Sequence, residues 1–122
     1  MLRKHVLLVE DDLNFGSLLC RVLQRAGYNV DVAASMAEAK EFLTLTQYAV
    51  VIADWRLSDG DGTVILGWAS QLGAKTALMS AYLLQMPGGR SFDHETLTKP
   101  IPPQEVVALV QRAIGTPTAF ST

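Results

Sequence analysis

At 122 residues, with 49% hydrophobic and 18% charged positions, the chain has a soluble globular balance and room for one buried core. Its net charge of -2 gives no electrostatic case for binding nucleic acid or an anionic membrane, and its single cysteine, Cys20, excludes an internal disulfide framework and fits a reducing compartment. No apolar run nears the roughly 20 residues that cross a bilayer, and Val6 to Val9 is too short for a secretion signal core of about 7–15 residues, so a cytoplasmic protein is expected.

Val6-Leu7-Leu8-Val9 reads as a strand buried on both faces. Phe15, Leu18, Leu19, Val22, Leu23 and Ala26 then recur at helical spacing, and Gly27 supplies a stop. Tyr28 to Val32 reads as a second strand. Ser35 and Glu38 form a capping box before an apolar stripe of Ala39, Phe42 and Leu43. Ala49 to Ala53 is a third strand, and Gly62 to Leu72 a helix with Val64, Ile65, Trp68 and Leu72 inward. Thr76 to Met79 makes a fourth strand and Thr96 to Thr98 a short fifth. Pro103 can open a last helix that packs Val106, Val107, Leu109, Val110, Ala113 and Ile114. Between them, Ala81 to Glu95 contains Pro87-Gly88-Gly89 and lacks an apolar period, so a fourth helix there is short, irregular or absent. Residues 1–115 form the expected domain, and residues 116–122 a flexible tail or the start of a linker.

Strands alternating with helices imply an α/β fold, a doubly wound five-stranded parallel sheet with right-handed crossovers. Ligands bind such a sheet beyond the carboxyl ends of its strands, where the strand order reverses. Glu10, Asp11 and Asp12 follow the first strand, Asp54 the third, Ser80 the fourth and Lys99 the fifth. A 2-1-3-4-5 order puts Glu10, Asp11 and Asp54 close together. Two unit charges about 4 Å apart repel by about 4 kcal/mol at an effective dielectric near 20, so raised pKa values or a cation must compensate. An oxygen-rich, partly open site suits Mg²⁺ with a phosphate ligand. A lysine ammonium and a hydroxyl would complete a phosphate cradle, with Asp54 as a carboxylate nucleophile.

The D-G-D-G-T run, Asp59 to Thr63, invites other readings. A haloacid-type phosphatase needs its D-x-D-G-T directly after a strand, whereas this run is already in a loop. No glutamate completes an EF-hand. Loop and helix-start roles are expected for Asp59 and Asp61, and a cap or a solvent-exposed position for Asp12. Cys20 and Trp68 read as packing residues, and His5 and His94 as surface residues.

V-L-L-V-E-D-D, V-V-I-A-D-W-R-L with Gly62 eight positions after its aspartate, L-M-S-A and L-T-K-P, in this order, resemble the receiver domain of two-component response regulators, the CheY-like flavodoxin-like (βα)5 fold. The resemblance covers about Lys4 to Ile114. It implies that Asp54 accepts a phosphoryl group from a phosphohistidine of a sensor kinase or phosphotransfer protein. It implies Mg²⁺ held by Glu10, Asp11, Asp54 and the Arg56 carbonyl oxygen, with Lys99 on the phosphoryl oxygens, Ser80 as switch hydroxyl and a cis Lys99-Pro100 bond. Such a domain catalyses its own phosphorylation and dephosphorylation, turns over no separate substrate and controls a downstream partner or output domain. It contacts neither nucleic acid nor membrane itself. Departures from the pattern fall beside the site. Ser58 replaces a common proline and should loosen its loop, and Thr96 replaces an aromatic switch residue. Tyr82, Thr96 and Trp55 are the positions expected to modulate the site, Trp55 as a fluorescent reporter of Mg²⁺. The unusual stretch before Thr96 leaves open a pseudo-receiver that binds a partner without phosphorylation. A flavin module on the same sheet is disfavoured, because E-D-D-L-N-F would repel phosphate.

Overall fold

Val6, Leu7, Leu8 and Val9 expose no surface at all, and the architecture is built around this strand. In the computed structural model, which describes residues 4–81 and 94–116, the chain runs β1 (His5–Val9), α1 (Leu13–Arg25), β2 (Asn29–Ala33), α2 (Met36–Leu45), β3 (Val50–Asp54), a short hairpin of β4 (Arg56–Leu57) and β5 (Gly60–Asp61), α3 (Gly62–Gln71), β6 (Lys75–Ser80), β7 (Glu95–Thr98) and α4 (Pro103–Ile114). Five strands pair in parallel in the order β2-β1-β3-β6-β7, the 2-1-3-4-5 order expected, since β6 and β7 are the fourth and fifth sheet strands. Alternate residues of each strand face opposite sides. Leu7, Val9, Val51, Ala53 and Leu78 pack under α2 and α3, and Val6, Leu8, Ile52, Ala77 and Met79 under α1 and α4. The expected shortened or irregular fourth helix, Tyr82 within it and the chain beyond 116 lie outside the described residues.

The helix starts follow the local chemistry of the sequence. Asp12 Oδ1 accepts the amides of Asn14 and Phe15 at 3.0 and 3.2 Å, which starts α1 directly behind β1. Ser35 Oγ accepts the Glu38 amide at 3.1 Å, and Glu38 Oε1 reaches back to the Ala34 amide at 2.8 Å, a capping box displaced by one residue. Asp61 Oδ1 accepts the Thr63 amide at 2.8 Å and starts α3. Gly62 is required there, because a Cβ at this position would lie 1.9 Å from the Asp54 carbonyl oxygen.

That close approach sets the rotational phase of α3 and corrects the expected inward face. Ile65, Leu66 and Ala69 are fully buried, whereas Val64 and Leu72 are 57% exposed and Trp68 39% exposed. The helix is apolar almost all round, so its periodicity did not single out one stripe. Trp68 instead lies on the outside beneath the Lys40 ammonium. Cys20 packs against the core as expected.

The histidines need a second correction. Both are half-buried rather than at the surface. His5 Nε2 lies 2.9 Å from Asp31 Oδ2 and edge-on to the Tyr48 ring, and His94 Nδ1 shares a hydrogen bond with the Thr76 hydroxyl. Their partners stand on neighbouring elements, which sequence spacing does not reveal. At this same strand-start edge, Lys4 Nζ donates to the Ile114 carbonyl oxygen, and Tyr28 Oη donates to that of Gly115 at 2.9 Å. The end of α4 is thereby fastened beside the start of β1.

Candidate functional site

The parallel register brings the carboxyl ends of β1, β3, β6 and β7 to one edge. Asp54 and Ser80 are the last residues of their strands rather than the first beyond them. Asp54 pairs with Met79 and Ser80 with Thr98. Glu10 leaves β1 and is almost wholly buried, at 1% exposure. Its amide donates to the Ala33 carbonyl oxygen at 2.9 Å, which fixes where its side chain departs.

One carboxylate oxygen from each of Glu10, Asp11 and Asp54 lies within 4.8 Å of the others. Lys99 Nζ sits between two of them, 2.9 Å from Glu10 Oε1 and 3.1 Å from Asp54 Oδ2. Glu10 Oε2 also accepts the Asp12 amide at 3.1 Å. Asp11 Oδ2 accepts the Ser58 amide at 3.0 Å, from the tip of the β4–β5 hairpin. The Lys99 ammonium stands 5.2 Å from the centre of the Phe15 ring, and the Lys99-Pro100 peptide is cis.

The electrostatics follow from burial and charge. Desolvation pushes the Glu10 carboxyl above its ordinary range, opposed by the Asp12 amide and by Lys99. Desolvation likewise raises Asp54, opposed by its hydrogen bond to Lys99 and reinforced by the charge of Asp11. Burial acts to lower Lys99, but its hydrogen bonds to Glu10 and Asp54 more than offset this and hold the ammonium charged. Lys99 thus compensates two of the three carboxylates, and the set carries a net negative charge. Oxygen donors at this spacing, with negative charge still to be neutralised, fit a hard divalent ion such as Mg²⁺.

Of the remaining expected positions, Ser80, Trp55, Arg56 and Thr96 fall within the described residues. Ser80 is buried at the end of β6, and its carbonyl oxygen accepts the Lys99 amide at 3.0 Å. Trp55 is half-buried against the α2–α3 side of the core, with the Arg56 guanidinium 4.7 Å from its ring centre. Arg56 itself begins the hairpin, two residues beyond Asp54. Thr96 is exposed on β7, in register opposite Leu78.

Four contacts went unread in the sequence: the Asp12 amide on Glu10, Phe15 beneath Lys99, the Ser58 amide on Asp11, and Asp59. The last does serve a helix start, but that of α2. Its two oxygens accept the Met36 and Ala37 amides at 2.9 and 3.2 Å. The hairpin fits there because Gly60, at φ +155°, leaves room for the Met36 side chain, whose Sδ would be 2.2 Å from any Cβ. No local pattern signals a cap supplied from 22 residues away.

The family described as response regulator receiver domain matches residues 6–111. The swarming motility regulation protein RssB of Serratia marcescens is 41% identical over 58 residues, 48% of this chain, and the chain spans 26% of that protein's length. A response regulator receiver domain protein (CheY-like) from Methanospirillum hungatei JF-1 superposes with a TM-score of 0.82 at 23% identity, over 91% of this chain and 93% of that one. The response regulator protein TrrA from Thermotoga maritima, solved in complex with Mg²⁺-BeF, gives a TM-score of 0.79 at 26% identity, over 91% and 99%.

Proposed function

This chain belongs to the response regulator receiver domain family, and we propose that it is a working phosphoacceptor receiver with Asp54 as the acceptor. The observation that carries this reading is Lys99 Nζ held between Glu10 and Asp54 at the mouth of the carboxylate cluster. An Asp54 oxygen attacks the phosphorus of a phosphohistidine on a sensor kinase or phosphotransfer protein. The new O–P bond forms as the P–N bond breaks, and the imidazole leaves with the electron pair. Lys99, charged throughout, turns from the carboxylate toward the phosphoryl oxygens. The Ser80 hydroxyl supplies a further donor to the phosphoryl group.

Glu10, Asp11 and Asp54, with the Arg56 carbonyl oxygen, are the residues that would hold Mg²⁺. The ion would supply neutralising charge for the carboxylates and the incoming phosphoryl oxygens. Phosphorylation then biases the domain toward a second conformation that controls a partner or output domain. Among the described residues no helix is long and apolar enough to cross a membrane, which fits the proposed cytoplasmic setting.

Incubation with Mg²⁺ and acetyl phosphate, read by intact mass, tests the proposal. Wild type should gain one phosphoryl group and Asp54→Asn none. An unmodified wild type would favour the pseudo-receiver reading, and an adduct that persists in Asp54→Asn would move the acceptor elsewhere.

A further inference from the structure

Ser58 and Asp59 form the tip of the β4–β5 hairpin, and the two residues are tied in different directions. The Ser58 amide donates to Asp11 Oδ2 at 3.0 Å, while the Asp59 carboxylate takes the first amides of α2. Leu57, just before the tip, is buried in the core beneath α2 and α3. The tip is therefore fixed from behind by Leu57 and from the side by Asp59, and the Ser58 amide is held as a stationary donor.

Asp11 needs such a donor more than its neighbours do. Lys99 compensates Glu10 and Asp54 directly, at 2.9 and 3.1 Å. Asp11 stands on the exposed β1–α1 connection, where repulsion from two other carboxylates would turn it outward. One of its oxygens nonetheless lies within the cluster while Oδ2 rests on the Ser58 amide. The bond therefore acts on the inward pose.

We propose that Ser58 is a positioning residue of the metal site: its backbone N–H holds Asp11 ready for Mg²⁺, and the α2 N-terminus supports it through Asp59. The inference rests on the Mg²⁺ reading above. It also reverses the expected effect of Ser58, because the amide fastens this loop to the site.

NMR titration of the ¹⁵N-labelled chain with MgCl₂ tests it on wild type, Ser58→Ala and Ser58→Pro. Ser58→Ala keeps the N–H and should bind within about twofold of wild type. Ser58→Pro removes it and should bind about tenfold more weakly, the usual scale for losing a partner of a metal ligand. A second arm does not depend on how proline is tolerated: the Ser58 amide should exchange with solvent about fivefold faster or more in Asp11→Ala than in wild type. Equal Mg²⁺ affinity in Ser58→Pro and wild type, or equal Ser58 exchange in Asp11→Ala and wild type, would overturn the proposal. A wild type that shows no saturable Mg²⁺ binding would instead overturn the metal reading, and the exchange arm would still judge the bond.

Discussion

Asp54 and Asp59 are five residues apart in sequence and belong to opposite electrostatic worlds. Asp54, with 13% of its side chain exposed, closes a buried strand, and desolvation raises its carboxyl above the ordinary value of 3.8. Asp59 stands at an exposed hairpin tip, and the Met36 and Ala37 amides hold its carboxyl below that same value. Burial makes the charge of one acid costly, and helix amides make that of the other favourable. The type of residue is shared; what differs is whether water or the protein solvates the charge.

The contrast can be broken most completely with acetyl phosphate. Asp59→Asn keeps the acceptor and should still gain one phosphoryl group, whereas Asp54→Asn should gain none, by intact mass. Next in size, Lys99→Met should slow labelling by about 100-fold, the effect of losing one preorganised donor, with rates read from a quenched time course. Asp61→Ala removes the α3 cap and should cost about 1 kcal/mol in urea unfolding while leaving the labelling rate intact.

The smallest and most discriminating effect is in thermal stability. A raised folded pKa means that the ionised Asp54 disfavours the fold, so stability is lost as pH rises through that raised value. Asp54→Asn should therefore increase Tm at pH 7. The lowered folded pKa of Asp59 stabilises above the unfolded value of 3.8, and that stability is lost as pH falls through the folded value. Asp59→Asn should therefore decrease Tm at pH 7, with the difference from wild type vanishing in acid. Shifts of the same sign in scanning calorimetry would show that the two acids do not differ as described.

Much of this organisation is legible in the sequence because it is local. Continuous apolar runs mark the buried strands, and the acids, serine and lysine that end those runs share one edge once the strands are parallel. Asp12, Ser35 and Asp61 announce helix starts by their type and spacing. What stayed hidden depends on distant partners or on phase. The outward turn of Trp68 follows from Gly62 seating on the Asp54 carbonyl, a constraint absent from any hydrophobic period. The contact of His5 with Asp31 needs β2 beside β1. The grip of Ser58 on Asp11 uses a backbone amide, which carries no letter in the sequence except where proline lacks it.

The fastening of Lys4 and Tyr28 to residues 114 and 115 also bears on engineering. It sets both ends of the described fold side by side at the strand starts. From that edge, at Val50, β3 takes four steps to Asp54, about 13 Å at about 3.3 Å per residue. Tethers or fluorophores attached at either end would leave the acidic face open to an approaching protein. The same adjacency makes the chain a candidate for circular permutation, with a short linker joining residues 4 and 115 and new termini opened elsewhere.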